Sequence, residues 1–205
     1  MTMTTVTVQG IDVSHYQGTV NWPQVKAAGV QFAFAKATEG VTWIDPEFVS
    51  NWAGMKAAGI LRGAYHFFEP NDDAGQQAQL FLATVQLESG DLPPVLDIET
   101  AAATTEDLWQ GVETWIDKVQ AATGLPPILY MSPGFADENN VPASLITYPL
   151  WVAEYGVEEP RLPQGWTNWL LWQSSQSGTI NGVTGSVDLD QVNGSLATLQ
   201  AIVKT

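Results

Sequence analysis

Acidic side chains recur in this sequence two residues apart. Asp97 and Glu99 flank Ile98 at the end of the apolar run 94–98, Asp188 and Asp190 flank Leu189, and Asp12 follows Ile11 in the run 10–16. Side chains of an extended strand alternate between faces, so Asp97 and Glu99 project together while Ile98 packs the other way. The same spacing pairs Asp188 with Asp190. Carboxyls gathered like this have two main uses. One is to hold a hard cation such as Mg²⁺ or Ca²⁺, which takes several converging oxygens. The other is glycoside hydrolysis, in which one carboxyl stays protonated for the leaving oxygen while others stay ionised against oxocarbenium character. For the second use crowding itself creates the proton donor, because neighbouring negative charge raises the pKa of a member of the cluster. A set of acids merely exposed at strand ends is the bland alternative.

Aromatic residues stand beside the same ends: Tyr65 and His66, Tyr130, Trp151 and Tyr155, and Trp172 next to Gln173. Tryptophan (9) outnumbers phenylalanine (7) and tyrosine (5), and flat rings with polar tips suit a saccharide groove as well as a core. Composition removes other chemistries. There is no cysteine, hence no disulfide, thiolate metal site or thiol nucleophile. The histidines are His15 and His66, which excludes an H-E-x-x-H zinc site. Lys plus Arg number 7 against 22 Asp plus Glu, a net charge of −15 that argues against nucleic acid or anionic lipid as partner. No apolar run approaches the roughly 18 residues of a membrane span. Residues 1–8 carry no cation and no apolar core, so no signal peptide is visible and 1–9 is expected to be a flexible extension of one catalytic domain spanning 1–205. No cofactor is implied.

What must position these residues is legible in the rhythm of the chain. Strand-like runs at 10–16, 32–37, 61–67, 94–98 and 127–131 alternate with helix-like segments at 22–28, 45–58, 73–87 and 105–121, the last with an apolar stripe through Leu108, Val112, Trp115, Ile116 and Val119. Three more strand candidates, 150–154, 168–173 and 187–190, follow without helix-length segments between them. Alternating strands and helices predict a parallel sheet, and about eight strands with about five helices predict a small, irregular, flattened β/α barrel whose last strands lack helices. An open doubly wound sheet is the alternative, but no G-x-G-x-x-G follows the first strand. Reactive groups of such barrels sit at the C-terminal strand ends, and closure would set Asp12 beside the Asp188 pair.

In order along the chain, the segments 10–18 (GIDVSHYQG), 34–40 (FAKATEG), 63–67 (GAYHF), 96–99 (LDIE), 150–155 (LWVAEY), 171–173 (LWQ) and 187–190 (VDLD) resemble the blocks of the glycoside hydrolase family 25 lysozymes. The resemblance implies an N-acetylmuramidase that cuts peptidoglycan between N-acetylmuramic acid and N-acetylglucosamine with retention of configuration. It implies Glu99 as general acid/base, Asp97 as the carboxylate that assists by orienting the substrate's N-acetyl group, and Asp12 and Asp188 as further acids of the pocket. Tyr65, Tyr130, Trp151, Tyr155 and Trp172 would contact sugar, Lys36 would be a cation near the pocket, and Asp190 falls at a position more variable in the family. The implied partner is cell-wall peptidoglycan, met by a monomer outside the cell or by a phage-encoded enzyme, with no metal. A chitinase-like hydrolase and a silent glycan-binding module of the same fold are the competing readings. Val95 and Pro93 stand where a chitinase would carry further acids.

Overall fold

The computed structural model describes residues 9–205. Eight strands close into a barrel: β1 (Gln9–Val13), β2 (Phe32–Glu39), β4 (Leu61–Phe67), β5 (Val95–Asp97), β6 (Ile128–Met131), β7 (Leu150–Ala153), β8 (Leu171–Gly178) and β9 (Val187–Val192), with β1 pairing both β9 and β2. A two-residue strand β3 (Trp43–Ile44) folds back on the end of β2. Helices α1 (Trp22–Ala27), α2 (Phe48–Ala57), α3 (Ala74–Thr84) and α4 (Thr105–Thr123) lie among the first strands, α5 (Pro133–Glu138) follows β6, and α6 (Leu196–Gln200) follows β9.

The helices form where local signals ask for them. The Thr104 hydroxyl accepts the Asp107 N–H at the start of α4, Glu106 and Asp107 favour its positive end, and Gly124 closes it at φ 75°. Its buried face is Leu108, Val112, Trp115, Ile116 and Val119, as the spacing predicts, together with Trp109. These residues belong to the larger core together with outward side chains of the barrel strands, and Trp115 stacks on His66 of β4. A smaller core fills the barrel itself with Phe32, Phe34, Val95, Ile128, Leu171 and Val192, and Leu199 of α6 plugs it from below. Phe32 and Phe34 lie where two glycines leave room: a Cβ on Gly10 or Gly63 would come within 2.2 Å of those rings. Glycine therefore lets the barrel flatten around large side chains without strain.

Three expectations are corrected. Gln9 belongs to β1, opposite Gln191, and not to an extension; the rest of that expectation, residues 1–8, lies outside the described residues. The first strand ends at Val13, and residues 15–17 form a 3-10 turn. The last strand runs antiparallel to both neighbours. Only eight residues join β8 to β9, fewer than the dozen or so that a parallel crossover needs. The reversal turns the start of β9 toward the C-terminal ends of the other strands, so Asp188 pairs with Asp12 across the sheet while Asp190 lies deeper, opposite Gly10.

Candidate active site

The C-terminal end of the barrel holds a cavity of about 120 Å³ lined by Asp12, Tyr65, Val95, Asp97, Glu99, Tyr130, Trp151, Gln173 and Asp188. Asp97 is the last residue of β5, and the strand geometry persists beyond it through Ile98 N–H donating to Tyr130 O (3.0 Å). Ile98 is thereby buried in the outer core while Asp97 and Glu99 both reach the cavity. The face sharing read from the spacing is realised.

Gln173 ties the far wall together. Its amide nitrogen donates to Asp12 Oδ2 at 2.6 Å, and its carbonyl oxygen accepts from the hydroxyls of Tyr130 (2.8 Å) and Tyr155. Trp151 stands edge-on to Tyr130 and donates its indole N–H to Asp190 Oδ1 at 3.1 Å. Asp190 is fully buried, within hydrogen-bonding reach of Asp12, and its Oδ2 has no donor. Asp190 thus lies beneath the pocket instead of lining it. Asp97 Oδ1 is likewise without a partner.

The electrostatics follow from this crowding. Burial pushes Asp12, Asp97 and Asp190 well above the usual carboxylate range, with the charges of Asp188, Glu99 and Asp12 as the respective next causes. Asp188 is pushed up to about 6 by burial, against a hydrogen bond with Asp12 that lowers it. Glu99 is open to solvent at the mouth, yet the surrounding protein still raises its pKa, opposed by the positive charge of Lys36. The ionisation belongs to the group as a whole. Lys36 is buried on β2, paired with Glu39 and set over the rings of Trp43 (5.1 Å) and Phe67 (4.6 Å). Tyr65 and Tyr130 are held well above their ordinary pKa by burial and the nearby acids, and Tyr155 is pushed up to about 12, so all three are hydroxyl donors. Among the described residues, no three or more of the carboxylates and histidines are arranged to hold a metal ion.

Trp172 is not brought to the pocket. It faces outward between Leu171 and Gln173, its ring edge-on to Trp169 and its N–H donating to Glu154 O at 2.7 Å. Gln173, which the aromatic count passed over, occupies the inward position. Strand alternation was the signal, since Leu171 packs inside the barrel. His66 is also outward and buried, stacked on Trp115. The structure thus brings together Asp12, Asp97, Glu99, Asp188, Tyr65, Tyr130 and Trp151, sets Tyr155 on the rim and Asp190 below, and leaves Trp172 outside.

Residues 11–183 match the model of the glycosyl hydrolases family 25. Lysozyme M1 of Streptomyces globisporus is 39% identical over 95% of this chain and 71% of that protein. The N,O-diacetylmuramidase of Chalaropsis sp is 34% identical over 89% of this chain and 96% of that protein. The bacterial lysozyme from Streptomyces coelicolor superposes with a TM-score of 0.92 at 37% identity, covering 98% of each chain. The family model stops short of β9, whereas the superposition takes in nearly the whole chain.

Proposed function

The chain belongs to glycosyl hydrolase family 25, as a lysozyme that cleaves bacterial peptidoglycan between N-acetylmuramic acid and N-acetylglucosamine, and we propose that Glu99 is its acid/base and that Asp97 orients the substrate's N-acetyl group. Glu99 protonates the glycosidic oxygen as the bond from C1 breaks and its electron pair passes to that oxygen. The N-acetyl carbonyl oxygen closes on C1 from the other face, while the ionised Asp97 accepts the amide N–H. Glu99, now a carboxylate, then takes a proton from water as the water oxygen bonds to C1 and opens the oxazolinium ring, so configuration is retained. Asp12 and Asp188 stabilise the positive charge that develops on the sugar.

The observation that carries this reading is that Asp97 and Glu99 reach one cavity from one chain segment. Residues i and i+2 on a strand lie about 6.5 Å apart at Cα, on the same face. That arrangement suits cooperation on one side of the sugar better than the flanking pair of a covalent mechanism, whose carboxyls stand about 5–5.5 Å apart across the bond. Seating a sugar over Glu99 displaces its water and raises its pKa toward those of the deeper acids, which readies its proton for transfer. A peptidoglycan substrate supports action on the wall, from outside the cell or as a phage-encoded enzyme.

Mass spectrometry of digested wall tests the reaction, and a Glu99→Gln variant tests the assignment. New reducing ends on N-acetylmuramic acid are expected, with turnover of the variant reduced by about 10³-fold or more while glycan is still bound. Equal clearance by variant and wild type would remove Glu99 from the mechanism. A 2-deoxy-2-fluoro glycoside that trapped an adduct on Asp97 would replace substrate assistance with a covalent route.

A further inference from the structure

A cavity of about 120 Å³ is small for its proposed substrate, since pockets that enclose a ligand whole run from roughly 300 to 1,000 Å³. A glycan strand seated there must continue over the rim, and the rim is not uniform. Exposed large apolar side chains gather on two opposite sides of the mouth. Tyr16 (82% exposed) and Ile44 stand after β1 and on β3, and Tyr155 and Val157 follow β7, the barrel strand diametrically opposite β2.

The β1–β3 side is built as a shelf. The Tyr16 ring lies 4.1 Å from that of His15, centroid to centroid, and Trp43 meets His15 edge-on at 5.0 Å. Asp45, itself 2% exposed, fixes the shelf by accepting from both the backbone N–H and the Nδ1 of His15, each at 2.9 Å. Gln17 locks the turn, accepting from Ser14 N–H (2.9 Å) and donating to Ser186 O (3.2 Å), two residues before Asp188. The inner edge of the shelf touches the pocket's own machinery, because Trp43 lies under the Lys36 ammonium. Nothing in the packing needs Tyr16: its ring covers no core residue of the barrel, yet the chain holds it in a stiff turn at the mouth. Rigid, solvent-facing aromatic faces beside polar tips are what stacks on the apolar face of a pyranose.

We propose that the His15–Tyr16–Trp43 shelf is a saccharide subsite that holds a further sugar ring of the glycan strand, beyond those in the pocket, so that the strand crosses the mouth from the β7 rim to the β3 rim. This rests on the muramidase reading, and it makes the enzyme selective for longer strands. Peptide-free strands of alternating N-acetylglucosamine and N-acetylmuramic acid, four and eight sugars long, supply the test with Tyr16→Ala and Trp43→Ala. The wild type should cleave the octasaccharide with a kcat/KM at least tenfold above that of the tetrasaccharide. Tyr16→Ala should abolish most of that advantage while leaving the tetrasaccharide within twofold and the melting temperature unchanged. Glu99→Gln, titrated with the same two strands, should bind the octasaccharide more tightly only when Tyr16 is present. An unaltered length preference in Tyr16→Ala would overturn the subsite and leave Glu99 in place. A preference seen only on strands that still carry peptide stems would overturn it in favour of a peptide contact. A Glu99→Gln enzyme that still turned over either strand would instead strike at the muramidase mechanism itself.

Discussion

Two sets of charged and titratable groups lie on the two faces of one barrel and are treated in opposite ways. On the outward side of β4, Arg62 meets Asp91 through two hydrogen bonds, Nε to Oδ1 at 2.7 Å and Nη2 to Oδ2 at 3.0 Å, lies 3.9 Å over the Trp52 ring, and donates to Trp52 O. The free lone pairs of Asp91 are used as well, with Glu88 N–H donating to Oδ2 at 2.7 Å. Four residues further along, His66 is satisfied on both nitrogens, by Thr38 (2.7 Å) and Gln77 (2.9 Å). On the inward side five carboxyls gather, the charge of Lys36, itself paired with Glu39, reaches Asp97 and Glu99 among them, and two of the carboxyl oxygens have no donor. Buried charge in the outer layer is neutralised; in the pocket it is left in excess. The outer layer spends its polar groups on a defined structure, and the pocket gives up stability for acids whose pKa values are raised.

The sharpest break of this contrast removes one partner of the outer pair. Asp91→Ala strands a buried guanidinium and should cost about 3–5 kcal/mol of unfolding free energy in urea titration. A loss no larger than that of an exposed acid would erase the contrast. Next in size is the acid side of the outer layer. Burial lowers the pKa of His66 from 6.5 to about 4, so between those values the unfolded chain binds the proton and the folded protein does not. Stability from this group is complete above pH 6.5 and falls as the pH drops toward 4, by about 3 kcal/mol in all. His66→Gln should flatten that part of the pH–stability profile, which thermal melts across the range would register.

The pocket should respond with the opposite sign. Asp188 has its folded pKa raised to about 6, so its ionisation in the folded protein opposes stability as the pH rises through the interval from 3.8 to 6. Asp188→Asn should therefore melt higher than the wild type at pH 7, by a few degrees, with the gain vanishing near pH 4. A lower melting temperature at pH 7 would mean that Asp188 is a structural acid and not a member of a strained cluster.

How far the sequence reached follows the same division. Alternation along a strand is a local property, so the placing of Asp97 and Glu99 on one face was legible, as was the buried stripe of α4. Strand direction is not local. The reversal of β9 was hidden in the length of its connection, and it changed Asp190 from a rim residue to a buried support. Trp172 was favoured for its chemistry against its parity, and Gln173 took the inward place. The shelf at His15 and Trp43 depends on β3 and on Asp45, whose pairing with Pro46 reads as a helix start and whose carboxylate accepts from Glu47 N–H there while its other oxygen holds the His15 turn. Residues far apart in the chain built it, and no local pattern announces such a meeting.

The central claim is that the crowding of the pocket's carboxyls readies the Glu99 proton for catalysis. A titration of the wild-type enzyme followed by ¹³C NMR of its labelled side-chain carboxyls reads this directly. The account predicts that Glu99 titrates above an ordinary carboxylate, that Asp188 titrates at about pH 6, and that Asp97→Asn shifts the Glu99 titration. If every Asp and Glu of the pocket titrated below about pH 5, as unperturbed carboxylates do, the account would be contradicted.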